Sequence, residues 1–223
     1  MTSVFRAALG ADFHRLHPMM QRRFDVGLDA AEACIGRGVM TSIRRGPWWT
    51  VPFLQIGRLR NILVPDVGDD VPFTIENYPY RDAHGRETVT FVRTYTTRPG
   101  RTARFDATMV LVGGRVLDYL GSHQHLAVDL DLVVDDRGGL VLTSDAQRFY
   151  EGPIAFRFPM LFSGRATLHE YWSDEDESFH VDLEVRNALF GFLFGYRGTF
   201  TCEWVPATDA PDRLKPRRTE LRT

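Results

Sequence analysis

The sequence predicts a mainly β protein: an antiparallel barrel or deep half-barrel of about ten strands, with an N-terminal helix and a disordered C-terminal tail. Three observations carry this. After Pro65 the chain becomes a series of short segments in which apolar and polar residues alternate, the signature of strands with one buried face. Between them lie DAHG, RPG, GG, DDRGG, SG and SDED, which supply the turn chemistry that antiparallel neighbours need. No helix-length pattern interrupts the series, so parallel strands joined by crossover helices are excluded, and this many antiparallel strands are best accommodated by curling the sheet until its edges meet.

In chain order, residues 3–24 place Phe5, Leu9, Phe13, Leu16, Met20 and Phe24 at spacings of three or four, an amphipathic helix that Pro18 breaks or restarts. Its arginines Arg6, Arg15, Arg22 and Arg23 suit either a solvated basic face or anionic lipid. A short strand follows from about Ala31, then Pro47-Trp48-Trp49 and a possible second helix around residues 51–60. Strands are expected at 71–80, 87–97, 104–112, 115–120, 123–134, 139–150, 154–158, 164–172, 178–186 and 196–205. Residues 1–205 thus form a single β-rich domain, and 206–223, rich in proline and charge, form a flexible tail.

Composition narrows the function classes. Of the 223 residues 43% are hydrophobic, and the net charge of −2 with dispersed arginines leaves no electrostatic footprint for nucleic acid. No apolar run reaches the ~18 residues of a membrane-spanning helix, and the N-terminus lacks the plan of a signal peptide. Cys34 and Cys202 are too few for a disulfide framework or a zinc set. These features point to a cytoplasmic protein with no transmembrane segment. GxSxG, HExxH, P-loop and CxxC motifs are absent, the single lysine is Lys215, and no cofactor is expected.

Two kinds of position stand out as candidate sites. In GSHQHLAVDLDL, a strand would place His123, His125, Asp129 and Asp131 on one face, either a partial metal site needing a third ligand such as His169, Glu151 or Asp118, or a solvated polar face. The absence of a strong third ligand favours the solvated face, and no metal is expected. Arg93 and Arg148 fall on otherwise apolar faces, in phase with Val89, Phe91 and Tyr95 and with Leu140, Leu142, Ala146 and Tyr150. A buried arginine needs an acid, a ligand or water. Either acids such as Glu76, Asp106, Asp118 or Glu151 pair with them, or Arg93, Tyr95, Arg148 and Tyr150 form a cationic, phenolic patch inside an apolar cavity. The apolar loops Phe158–Phe162 and Leu189–Phe194 suggest a plug or lid over one barrel end, with Phe162, Phe192 and Phe194 against the ligand.

The stretches VPFTIENYPYRDAHGRETVTFVRTY, VLDYLGSHQHLAVDLDLVVDDRGGL, AQRFYEGPIAFRFPMLFSGRA and NALFGFLFGYRGTFTCEW are similar to an uncharacterised bacterial domain family that often occurs C-terminal to saccharopine-dehydrogenase-like, NADP-binding reductases. The resemblance spans most of residues 10–205. It implies no catalytic residues, since the family has no established activity. It does imply a possible partner, a separate NADP-dependent reductase, because this chain has no strand–GxGxxG–helix unit. The expected function is binding of a small amphiphilic, anionic molecule in the apolar cavity of the barrel. The alternatives are an enzyme using His123, His125 or Glu151 with Tyr150 for acid–base chemistry, and a non-catalytic module that docks on the reductase.

Overall fold

A computed structural model describes residues 3–223 apart from 52–54, 56–57, 59, 63–65, 99 and 159–162. The second helix expected around residues 51–60 lies mostly outside the described residues.

All the strands belong to one antiparallel sheet. They are β1 (Glu32–Arg45), β2 (Val71–Asn77), β3 (Pro79–Arg81), β4 (Glu87–Thr90), β5 (Val92–Arg98), β6 (Arg101–Phe105), β7 (Ala107–Val112), β8 (Arg115–Leu120), β9 (Leu126–Val134), β10 (Leu140–Glu151), β11 (Ile154–Arg157), β12 (Arg165–Ser173), β13 (Ser178–Asn187) and β14 (Gly191–Pro206). The number exceeds the expected ten because β1 precedes them and because single residues, Tyr78, Phe91 and Asp106, interrupt three long arms and divide them into β2–β3, β4–β5 and β6–β7.

Those interrupted arms curl the sheet back on itself. β1 pairs with β14 on one side and β2 on the other. β2 pairs with β5, β4 pairs with β7, and Phe91 and Ala107 exchange both backbone hydrogen bonds at 2.7 and 3.2 Å, so the hairpin 87–112 is continuous. β7 then pairs with β8, and the order runs on through β9, β10, β12 and β13 to β14. Both outer edges of β1 and β14 are thereby paired, which removes them as templates for aggregation.

β1 fills the stretch between Ala31 and Pro47 where a strand was expected, and its glycines explain the close fit to β14. A Cβ on Gly38 would lie 2.0 Å from the Thr199 carbonyl oxygen, so only glycine lets β14 approach there.

The N-terminal segment packs against one end of the barrel as α1 (Val4–Leu9), a 3₁₀ turn (Gly10–Arg15) and α2 (Pro18–Phe24). Pro18 restarts the helix: it occupies the first turn of α2, where its missing N–H is no loss, and the His17 ring accepts from the Met19 N–H at 3.2 Å. Phe5, Phe13, Leu16, Met20 and Phe24 are all buried, as their spacing requires. Arg23 departs from the expected basic face. It is buried, donates to Glu170 of β12 and, at 2.8 Å, to the Asn77 side chain of β2, and lies over the Phe200 ring at 4.8 Å.

The C-terminal segment expected to be a flexible tail lies along the outside of the barrel. Arg217 N–H donates to the Ser122 carbonyl at 2.7 Å, Glu220 N–H to the Gln124 side chain at 2.6 Å, and the Tyr119 hydroxyl to the Arg222 carbonyl at 2.8 Å. This strap runs beside a small cluster on the outer face of the sheet: Val110, Leu117, Tyr119, Ala127 and Tyr150. Composition misled here because the strap is held by hydrogen bonds, by ion pairs such as Arg213–Glu76 and by the burial of only two small apolar anchors, Ala210 and Leu214. Ending the chain after Pro206 removes these three buried or part-buried bonds. At about 1 kcal/mol for each bond and about 2 kcal/mol for the buried Leu214 side chain lost with them, the unfolding free energy is expected to fall by about 5 kcal/mol in a urea titration.

Candidate functional site

The interior alternates along every wall strand, with Val128 and Leu130 of β9, Leu183 and Val185 of β13, and Phe194 and Tyr196 of β14 pointing inward. They line a cavity of about 690 Å³ whose walls are mainly aliphatic and aromatic. The cavity lies toward the barrel end opposite the N-terminal helices, where Thr50, Ile62, Phe158 and Phe190 also line it.

Two charged residues interrupt this apolar lining: Arg93 from β5 and Asp118 from β8. Each stands where strand periodicity puts it. Arg93 shares the inward face with Phe91 and Val89, and Asp118 sits between the inward-facing Val116 and Leu120. They flank the same arm, since Arg93 is in register with Phe105 and Asp118 with Met109.

Arg93 is buried, its hydrogen bond is to the Phe91 carbonyl at 3.5 Å, and its guanidinium lies over the rings of Phe105 at 5.0 Å and Phe91 at 5.8 Å. Among the described residues no acid forms an ion pair with it. Burial opposes its charge, but Tyr196, Tyr95, Asp118 and Glu170 together hold its pKa above the ordinary value. Asp118 is also buried, with Oδ1 lacking a hydrogen-bond partner among the described residues. Burial pushes its pKa up to about 7, against the pull of Arg93. Near neutrality, then, a large share of Asp118 is the uncharged acid and does not neutralise the arginine.

Of the seven ligand-facing residues expected from sequence, the cavity lining brings together Arg93 and Phe194. Tyr95 is buried beside Phe73 and Tyr196, with ring centroids 6.1 Å apart in each case, but does not line the cavity. Phe192 is on β14 outside the lining, and Phe162 lies outside the described residues. Arg148 and Tyr150 are on the outer face. Between Ser144 and Gln147 the register of β10 shifts by a bulge, so Leu142 and Ser144 face inward before it and Gln147 after it. Arg148 therefore projects outward and pairs with both carboxylate oxygens of Asp129, at 3.1 Å from Oδ2. Tyr150 packs in the cluster beside the strap, with the Arg222 guanidinium 4.6 Å from its ring.

His123 and His125 do not share a strand face with Asp129 and Asp131. β9 begins at Leu126, and Gln124 has a left-handed backbone at φ 53°, so both histidines sit in the turn before it. Their rings are 5.2 Å apart, and His125 Nδ1 lies 2.8 Å from Glu151 Oε2. Burial holds both imidazoles below their ordinary pKa. Neither histidine nor Glu151 lines the cavity, and the described residues contain no cluster of three or more His, Cys, Asp or Glu placed to hold a metal. Asp118 was visible in sequence as a possible partner for an arginine or as a third metal ligand, not as a group lining the cavity. The signal that marks it is the one that marks Arg93: a charge in phase with Val116 and Leu120 on an inward face.

Fold and site together define an antiparallel β-barrel protein with a mainly apolar cavity whose lining includes one buried arginine and one buried acid. The chain belongs to the family described as domain of unknown function DUF4166, whose model matches residues 16–200. It is similar to the uncharacterized protein YndH of Bacillus subtilis (strain 168), at 27% identity over 202 residues, covering 90% of this chain and 97% of that protein. No helix among the described residues is long and apolar enough to cross a membrane.

Proposed function

We propose that the protein binds a small amphiphilic anion inside the barrel, with Arg93 holding the polar end and the apolar walls holding the rest. The observation that carries this reading is Arg93 itself: a buried guanidinium with no ion-pair partner among the described residues, facing a cavity of about 690 Å³. Leaving such a charge uncompensated costs several kcal/mol, and an anion in the cavity offsets that cost. The volume lies within the range of small-molecule sites. Cys34 and Cys202, both free thiols, fit a reducing cytoplasm.

The enzymatic alternative is weakened by geometry, because His123, His125 and Glu151 lie away from the cavity and leave Asp118 as the group able to move a proton there. A module that docks on a separate NADP-dependent reductase needs no cavity and leaves Arg93 unexplained.

Organic extraction of the purified protein with mass spectrometry of the extract is expected to yield a co-purifying amphiphile. Arg93→Ala should weaken its binding by about 1.5–3 kcal/mol, the range of a charge-assisted hydrogen bond. Arg148→Ala should leave binding unchanged, since its partner is Asp129. Equal loss in both variants, or no loss in either, would overturn the assignment of Arg93.

A further inference from the structure

This inference rests on the reading of the barrel as a binding cavity and concerns the chemistry of the ligand's polar end. The cavity offers one fixed cation and one carboxyl group on either side of the β6–β7 arm. Asp118 is more than nine-tenths buried, and its Oδ1 has no partner among the described residues. The strands on either side of β8 present Met109 and Val128 to it, both apolar. The charged and titratable groups that face it are Arg93 and Tyr196.

We infer that the head of the ligand is a single carboxylate, held by the Arg93 guanidinium while Asp118, in its acid form, donates a hydrogen bond to the same carboxylate. Charge balance favours this head over others. One guanidinium and one neutral acid leave a single positive charge, which a monoanion neutralises; a dianionic phosphate would leave a net negative charge in an apolar interior. A neutral alcohol would leave Arg93 uncompensated. Two carboxyl groups in close contact share one proton because both cannot remain ionised, so the acid form of Asp118 is stabilised further by the ligand it binds. Burial already brings Asp118 to a pKa of about 7, so little additional energy is needed to keep the proton in place. Loading therefore depends on pH: above neutrality Asp118 ionises, repels the carboxylate and releases it.

The test is isothermal titration of the ligand-free protein with dodecanoate, dodecyl phosphate and dodecanol at about pH 6 and about pH 8. Dodecanoate should bind about ten-fold more tightly at the lower pH, and at the higher pH still at least about ten-fold more tightly than dodecyl phosphate. In Asp118→Asn the amide donates at any pH, so dodecanoate binding should persist at the higher pH with the pH dependence gone. Wild-type protein that prefers the phosphate or the alcohol, or that binds dodecanoate equally at both pH values, would overturn the carboxylate assignment and leave the binding cavity standing. So would an Asp118→Asn variant that keeps the pH dependence. If none of the three amphiphiles binds at either pH, the binding cavity itself is overturned.

Discussion

Glu170→Ala is expected to destabilise the fold by about 3–5 kcal/mol, among the largest effects of any single substitution in this chain, because it leaves the Arg23 charge buried and uncompensated. Arg23 is only 2% exposed, and burial, the strongest influence on its pKa, works against the charged form; Glu170 is the first interaction that offsets it. Its other contacts include the neutral Asn77 side chain, the Cys34 and Cys202 sulfurs at 3.4 and 3.8 Å and the Phe200 ring, none of which is a carboxylate. Guanidinium chloride unfolding monitored by tryptophan fluorescence would report the loss as a lower midpoint at unchanged slope. A double variant, Arg23→Met with Glu170→Leu, should recover most of it, because apolar residues of similar volume remove the charge together with its partner. By contrast Asp182→Ala, which breaks the exposed pair with Arg197, should change stability by no more than about 1 kcal/mol. A Glu170→Ala protein as stable as the wild type would mean that Arg23 reaches solvent.

Asp118→Asn should act in the opposite direction. In the ligand-free protein the Asp118 pKa is raised from 3.8 to about 7 by burial, so the folded state holds a proton that the unfolded state releases. The stability this proton provides is fully present below about pH 4 and falls as pH rises toward 7, beyond which both states are ionised. The shift corresponds to about 4 kcal/mol, so at about pH 8 the asparagine variant should be the more stable protein by up to that amount, with the difference vanishing near pH 4. Thermal or urea unfolding across that range tests it. A variant no more stable at alkaline pH would show that Asp118 is ionised and stabilised by Arg93 at all pH values tested.

The barrel was legible from strand periodicity and turn residues because each hairpin is local. Alternation in ETVTFVRTYT puts Arg93 on the inward face, while of the expected loop Leu189–Phe194 the structure sets Phe190, Leu193 and Phe194 in the cavity lining and builds residues 191–194 into β14. Alternation failed at two kinds of place. The bulge after Ser144 inserts a residue that no side-chain pattern announces, and every assignment beyond it, Arg148 and Tyr150 included, changed face. The turn at Gln124 likewise detached His123 and His125 from the strand they were expected to begin. The strap after Pro206 escaped for a different reason: its hydrogen bonds are specified by positions on the barrel wall, so its own composition carries no trace of them.

The pairing of β1 with β14 has a consequence for biosynthesis. Strands that lie first and last in the sheet's chain order are neighbours, so the wall holding Phe194 and Tyr196 does not exist until the ribosome has delivered residues 191–206. Until then the chain is an open curl with β1, and β13 once it has been made, unpaired along one side, and its hairpins form early while its interior forms last. Chaperone capture would therefore be most useful in the final stage of synthesis, when the apolar lining is complete except for the strand that seals it.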